Sequence, residues 1–228
     1  MNLRIFDTTD DLVRAAARTI QQRVDDGARV IALSGGTTPK PLYEMLGRPP
    51  YRDHLAMEPI TWVIVDERFV PIEDPQSNAG MIQKTLFADG VPAAHRFLRF
   101  RTELADPEAA AAAFNEEWRV LGIEQLDIAL LGMGDDGHTA SLFPGTPVLD
   151  IDDRVSAAVY VPKVNMWRVT LTKHVLREAK LRMVLAAGAN KRPVLQQVRD
   201  GADLPIALVT RGEIETWWFI DRAAAPET

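Results

Sequence analysis

The sequence predicts an α/β protein built on a mainly parallel, doubly wound sheet with helices on both faces. Three observations predict it. Apolar runs of strand length alternate with helical patterns along the whole chain. Several of these runs are continuously apolar, as strands buried on both faces require. Glycine-rich turns follow some of them, and the C-terminal edge of an open α/β sheet is where ligands bind.

The elements follow in order. Residues 10–24 read as a helix, because Leu12, Val13, Ala16, Ile20 and Val24 share one face and Gly27 can stop it. Residues 30–33 read as a strand. Residues 39–46 read as a helix opened by Pro39, whose fixed φ suits a first turn. A strand over 61–65 and helices over 77–86 and 106–121 come next, with Ser77 and Asp106 as N-caps. Strands are predicted over 126–131, 156–161, 168–172 and 182–186, a helix over 190–198, and strands over 206–209 and 216–220. No internal repeat or long linker interrupts the series, so residues 1–228 are expected to form one domain.

Composition bounds the function. The 228 residues carry a formal net charge of −6, which argues against a nucleic-acid partner, since phosphate backbones need a basic surface. There is no cysteine, hence no disulfide, no thiolate nucleophile and no Cys-based metal site. No apolar run approaches the roughly 20 residues of a membrane span. The opening Met-Asn-Leu-Arg-Ile-Phe-Asp lacks a signal-peptide core, and a cytoplasmic protein is expected.

The richest stretch is Gly132-Met133-Gly134-Asp135-Asp136-Gly137-His138-Thr139-Ala140-Ser141-Leu142-Phe143-Pro144-Gly145, directly after the 126–131 run. Glycines there let backbone approach a ligand closely, and a histidine at a strand's ligand edge can accept a proton near neutral pH. Gly132, Gly134 and Gly137 also satisfy the dinucleotide spacing. That reading fails on mechanism: Asp135 and Asp136 would repel a pyrophosphate, and Pro144 and Gly145 interrupt the helix that should follow.

Four other stations fall at the ends of predicted elements. Ser34-Gly35-Gly36-Thr37-Thr38-Pro39 offers consecutive amides and hydroxyls before a helix, the form of an anion site, without the Gly-Lys-Ser/Thr ending of a Walker loop. Asp66-Glu67-Arg68 ends the second strand, where Asp66 can orient a hydroxyl and Arg68 an anion. Arg168 opens a strand. Lys191 lies at a helix start, against the macrodipole, which an anion held there would offset. His54, His95 and His174 have no comparable setting.

Taken together, these motifs resemble the 6-phosphogluconolactonase family. Ser34 through Pro39, Val65-Asp66-Glu67-Arg68, Ser77-Asn78, Gly132 through Gly145, Arg168-Val169-Thr170-Leu171-Thr172 and Gly188-Ala189-Asn190-Lys191 match its motifs in order, nearly end to end. The resemblance implies the fold of glucosamine-6-phosphate deaminases and ribose-5-phosphate isomerases. It implies a cofactor-free hydrolase of a sugar phosphate lactone in the pentose phosphate pathway, acting as monomer or homodimer, with no metal, nucleic acid or membrane. His138 would be the base, with Asp66 or Asp135 orienting it or a hydroxyl. Ser34, Gly35, Gly36, Thr37, Arg68, Gly134, Arg168 and Lys191 would bind the substrate and its phosphate. One departure stands out. The family often has a proline-rich run before Arg168, and here the residues are Lys163-Val164-Asn165-Met166-Trp167.

Two other functions use similar folds. A hexosamine-phosphate deaminase typically continues from its histidine into Phe-Asn-Glu-Pro-Gly, and here Ser141-Leu142-Phe143-Pro144-Gly145 has no acid. A non-catalytic sugar-phosphate sensor needs an output module, and no DNA-binding extension is present.

Overall fold

A computed structural model describes residues 1–226. Seven strands form one all-parallel sheet: β1 (Asn2–Phe6), β2 (Val30–Leu33), β3 (Thr61–Ile64), β5 (Arg96–Leu98), β6 (Ile128–Leu131), β9 (Leu181–Ala186) and β10 (Glu215–Asp221), in spatial order β1-β10-β9-β6-β2-β3-β5. β6 and β9 are buried at every position, which is why they read as unbroken apolar runs. From β2 the chain first moves outward through β3 to β5, then returns to the other side of β2 as β6 and continues to β9 and β10. The direction reverses between β2 and β6, and a crevice opens above such a switch point.

The helices are α1 (Thr9–Asp25), α2 (Lys40–Leu46), α3 (Tyr51–Leu55), α4 (Asn78–Thr85), α5 (Pro107–Val120), α6 (Lys173–Arg177), α7 (Arg192–Arg199) and α8 (Pro205–Thr210). The starts of α1, α4 and α5 carry side-chain caps. Thr8 Oγ1 accepts from Asp11 N, Ser77 Oγ from Gly80 N and Asp106 Oδ1 from Ala109 N. Gly27, at φ +100°, ends the first helix as expected.

Two expectations are corrected. The runs at 156–161 and 168–172 do not join the parallel sheet. As β7 (Ser156–Val161) and β8 (Met166–Leu171) they form an antiparallel hairpin, extended by β4 (Asp66–Arg68) into a second sheet of order β4-β8-β7. Apolar periodicity marks a strand but does not name its partner. The run at 206–209 is helical, within α8, because Pro205 at its first turn fixes a helical φ. β1, β4 and β5 were not anticipated. β1 is a half-exposed edge strand, and the other two have three residues each.

Candidate active site

The C-terminal ends of β9, β6, β2 and β3 are neighbours, so the turns that follow them meet over the switch point. There they surround a cleft of about 360 Å³ lined by Ser34, Gly35, Gly36, Thr37, Asp66, Arg68, Asn78, Gly134, His138, Arg168 and Lys191 among others. Of the residues given a catalytic or substrate-binding role from the sequence, Asp135 alone is outside this lining.

The turn after β2 is shaped by close packing. A Cβ on Gly35 would lie 1.9 Å from Asn78 Oδ1, and Gly36 sits at φ +100°, so neither position tolerates a side chain. The Tyr43 hydroxyl donates to Ser34 O at 2.7 Å and pins the turn. Ser34 Oγ is buried and has no partner among the described residues, leaving a donor unused at the cleft wall. α2 behind it has only seven residues, so loop amides and side chains, more than a helix dipole, face the cleft.

In β4, strand alternation sends Asp66 and Arg68 to the cleft and Glu67 to the other side. Glu67 is buried and accepts from Asn78 N and Ala79 N, both at 2.7 Å, and from Ser77 Oγ at 2.9 Å, capping α4. Asp66 Oδ2 accepts from Ser141 Oγ at 2.6 Å and lies 3.6 Å from Arg168 Nη1. Arg68 Nη1 donates to Asn78 Oδ1 at 2.6 Å. Asn78 Nδ2 donates in turn to Asp66 O at 2.9 Å. Asn78 thus ties the Gly35 turn to the Asp66–Arg68 station, a role foreshadowed only by its place at the Ser77-Asn78 helix start.

Arg68 and Arg168 are direct cross-strand partners in the β4–β8 ladder. Like charges directly opposite are destabilising. One carboxylate, Asp66, stands near Arg168, whose Nε is buried without a partner among the described residues. Burial pushes the Arg168 guanidinium down from its ordinary pKa, and Arg68 adds to the effect. It stays cationic. Two guanidiniums held together with one carboxylate make a site for an added anion.

The turn after β6 delivers the histidine. Gly137, at φ +77°, reverses the chain, so His138 O accepts from Gly134 N at 2.8 Å. A Cβ on Gly134 would lie 2.1 Å from the imidazole Cε1 and Nδ1, so this glycine makes room for the ring. The ring stacks on Phe143 with centroids 4.0 Å apart and planes at 18°. Its Nδ1 lies 2.6 Å from Asp136 Oδ1, which also accepts from His138 N at 3.1 Å. The carboxylate accepts a hydrogen bond from Nδ1–H, so in the neutral ring Nε2 carries the lone pair. Nε2 makes no hydrogen bond to a described residue. Burial lowers the imidazole pKa, and the Asp136 hydrogen bond opposes that without cancelling it. Burial works to raise the Asp136 pKa, yet donors from Lys163 and His138 hold it well below the usual carboxylate range.

Asp135 does not orient His138. Its side chain is 66% exposed and holds Lys191 Nζ at 2.6 Å and Asn190 Nδ2 at 3.2 Å. The carboxylate on the imidazole Nδ1 is that of its neighbour Asp136. The anion beside Lys191 is therefore one of the chain's own, and that lysine still lines the cleft from the turn before α7. Among the described residues no group of three or more His, Asp or Glu side chains is arranged to hold a metal ion, and no helix is long and apolar enough to cross a membrane.

A neutral imidazole with a free Nε2, facing a cleft lined by three cations and bare loop amides, can deprotonate a water beside a bound anionic molecule. The chain belongs to the glucosamine-6-phosphate isomerase/6-phosphogluconolactonase family, whose model matches residues 7–218. It is 33% identical over 199 residues to the 6-phosphogluconolactonase of Haemophilus influenzae, with 85% of each chain covered. The crystal structure of 6-phosphogluconolactonase from Leishmania guyanensis superposes with a TM-score of 0.83 at 29% identity, covering 98% of this chain and 97% of that one. A monomeric glucosamine-6-phosphate deaminase shares the fold, with a TM-score of 0.81 at 24% identity over 98% of both chains.

Proposed function

We propose that this protein hydrolyses 6-phospho-D-glucono-1,5-lactone to 6-phospho-D-gluconate, with His138 as general base. The observation that carries the reading is the placement of His138, its Nδ1 fixed by Asp136 and its Nε2 free of described partners at a cleft that also holds Arg68 and Arg168. In this reading Nε2 takes a proton from water as the oxygen attacks the lactone C1. The carbonyl oxygen becomes an oxyanion stabilised by a nearby cation. The intermediate collapses, the C1–O5 bond breaks, and the imidazolium returns its proton to O5. Asp136 keeps the tautomer and stabilises the imidazolium. Asp66 positions Ser141 and Arg168 and faces the sugar.

Ser34 Oγ and the amides of Gly35, Gly36 and Thr37 take the phosphate, with Arg68, Arg168 and Lys191 around it. Three cations serve one phosphate and one developing oxyanion. A variant that weakens product binding marks a phosphate ligand, and one that lowers kcat alone marks an oxyanion ligand. The deaminase reading lacks its motif acid: the position of the glutamate in Phe-Asn-Glu-Pro-Gly is Phe143 here, stacked on the imidazole.

The reading takes residues 1–228 as one lactonase domain, cytoplasmic, acting as monomer or homodimer on a small sugar phosphate. The test is NMR of lactone disappearance with and without protein, the spontaneous rate being subtracted. A rate above background that yields 6-phosphogluconate is expected. A rate equal to background refutes the reading.

A further inference from the structure

The 163–167 segment, at the tip of the β7–β8 hairpin, touches the base indirectly. Lys163 Nζ lies 2.6 Å from Asp136 Oδ2, while Asp136 Oδ1 lies 2.6 Å from His138 Nδ1. One carboxylate thus bridges the tip of the β7–β8 hairpin and the imidazole, each oxygen holding one donor. We propose that Lys163 is a positioning residue that acts on His138 through Asp136.

The tip is built to present this lysine. Pro162 opens a short 3-10 turn over Pro162–Val164, and Asn165 ends it at φ +48°, a conformation asparagine tolerates better than most residues. The Tyr160 hydroxyl donates to Asn165 Oδ1 across the turn. Tyr160 and Trp167 are register partners whose rings lie 5.5 Å apart. The same hairpin carries Arg168 into the cleft, so one element presents both the tip lysine and the cleft arginine. By occupying Oδ2, Lys163 keeps Oδ1 turned to the ring.

Its charge also acts on the ring. The charged groups facing His138 and Asp136 are Lys163 from the tip, Asp135 from the same turn, Asp66 from β4 and Arg168 from β8. Lys163 partly neutralises the Asp136 carboxylate, so it disfavours the imidazolium. Removing it raises the His138 pKa and moves the acid limb of activity to higher pH. The lysine side chain is 61% exposed, so the effect is screened by solvent and salt. A shift of about 0.3–0.7 pH unit is the scale for an exposed pair.

This inference rests on His138 as base, and its test separates the two. His138 is titrated by NMR without substrate in wild type, Lys163→Met, Lys163→Arg and the control Lys180→Met, whose lysine pairs with the distant Asp127. The kcat/KM pH profile is then taken for each. Lys163→Met should shift both the NMR pKa and the acid limb upward, Lys163→Arg should restore both, and Lys180→Met should leave both in place. High salt should move wild type toward Lys163→Met. An unchanged NMR pKa in folded Lys163→Met overturns the inference. A shifted NMR pKa with an unmoved acid limb instead refutes His138 as the base, and a wild type without turnover refutes the proposed function.

Discussion

Arg68 and Arg168 stand opposite one another across the β4–β8 ladder, and both reach the same cleft. Cross-strand like charges cost stability unless something negative lies between them. Arg68→Met should therefore keep or raise the melting temperature of the ligand-free protein. It should weaken 6-phosphogluconate binding about 10- to 100-fold, the scale of one charge-assisted hydrogen bond. Calorimetric titration and thermal melts check both. A variant that melts lower and binds product as wild type does would contradict the anion site.

The lactone without its phosphate should be a poor substrate. Losing two charge-assisted hydrogen bonds at about 1.5 kcal/mol or more each lowers kcat/KM at least about a hundredfold. Parallel assays of gluconolactone and its 6-phosphate check this. Equal use of the two would show that the phosphate is not read.

Burial lowers the His138 pKa from the ordinary imidazole value of about 6.5. A base works when neutral, so activity is present above that pKa and lost as pH falls through it. The acid limb of kcat/KM should have its midpoint below about 6.5, with a plateau at neutral pH once spontaneous hydrolysis is subtracted. A limb well above that value would mean that another group, or a charged imidazole, controls the rate.

Asp135 and Asp136 are sequence neighbours with different partners, Lys191 and His138 respectively. Asp136→Asn should lower kcat by about 10- to 100-fold, because the imidazole loses its tautomer anchor. Asp135→Asn should leave kcat near wild type. Steady-state kinetics on both variants decides it, and the reverse order of effects would return the orienting role to Asp135.

Much of this was legible in the chain, for physical reasons. The central strands announce themselves because both faces are buried, and their turns because Gly36 and Gly137 adopt φ values that side chains resist. The hairpin's separate sheet was not legible, because a period of two says nothing about which strand lies alongside. The choice between Asp135 and Asp136 had a signal that sequence reading passed over. In Asp136-Gly137-His138 the carboxylate sits two residues before the histidine, where an aspartate accepts the backbone N–H, as Oδ1 does here at 3.1 Å. The Arg68–Arg168 pairing depends on the β4–β8 register, and a three-residue strand is too short to predict.

The most direct measurement of the central claim is lactone hydrolysis followed by NMR for wild type and His138→Asn at neutral pH, with product affinity and melting temperature taken on the same preparations. The folded variant should lose about 10²–10⁴ in kcat while binding 6-phosphogluconate almost as wild type does, since the proposed phosphate ligands are other residues of the cleft. A folded His138→Asn with near wild-type kcat would contradict the account and move the base to Asp66.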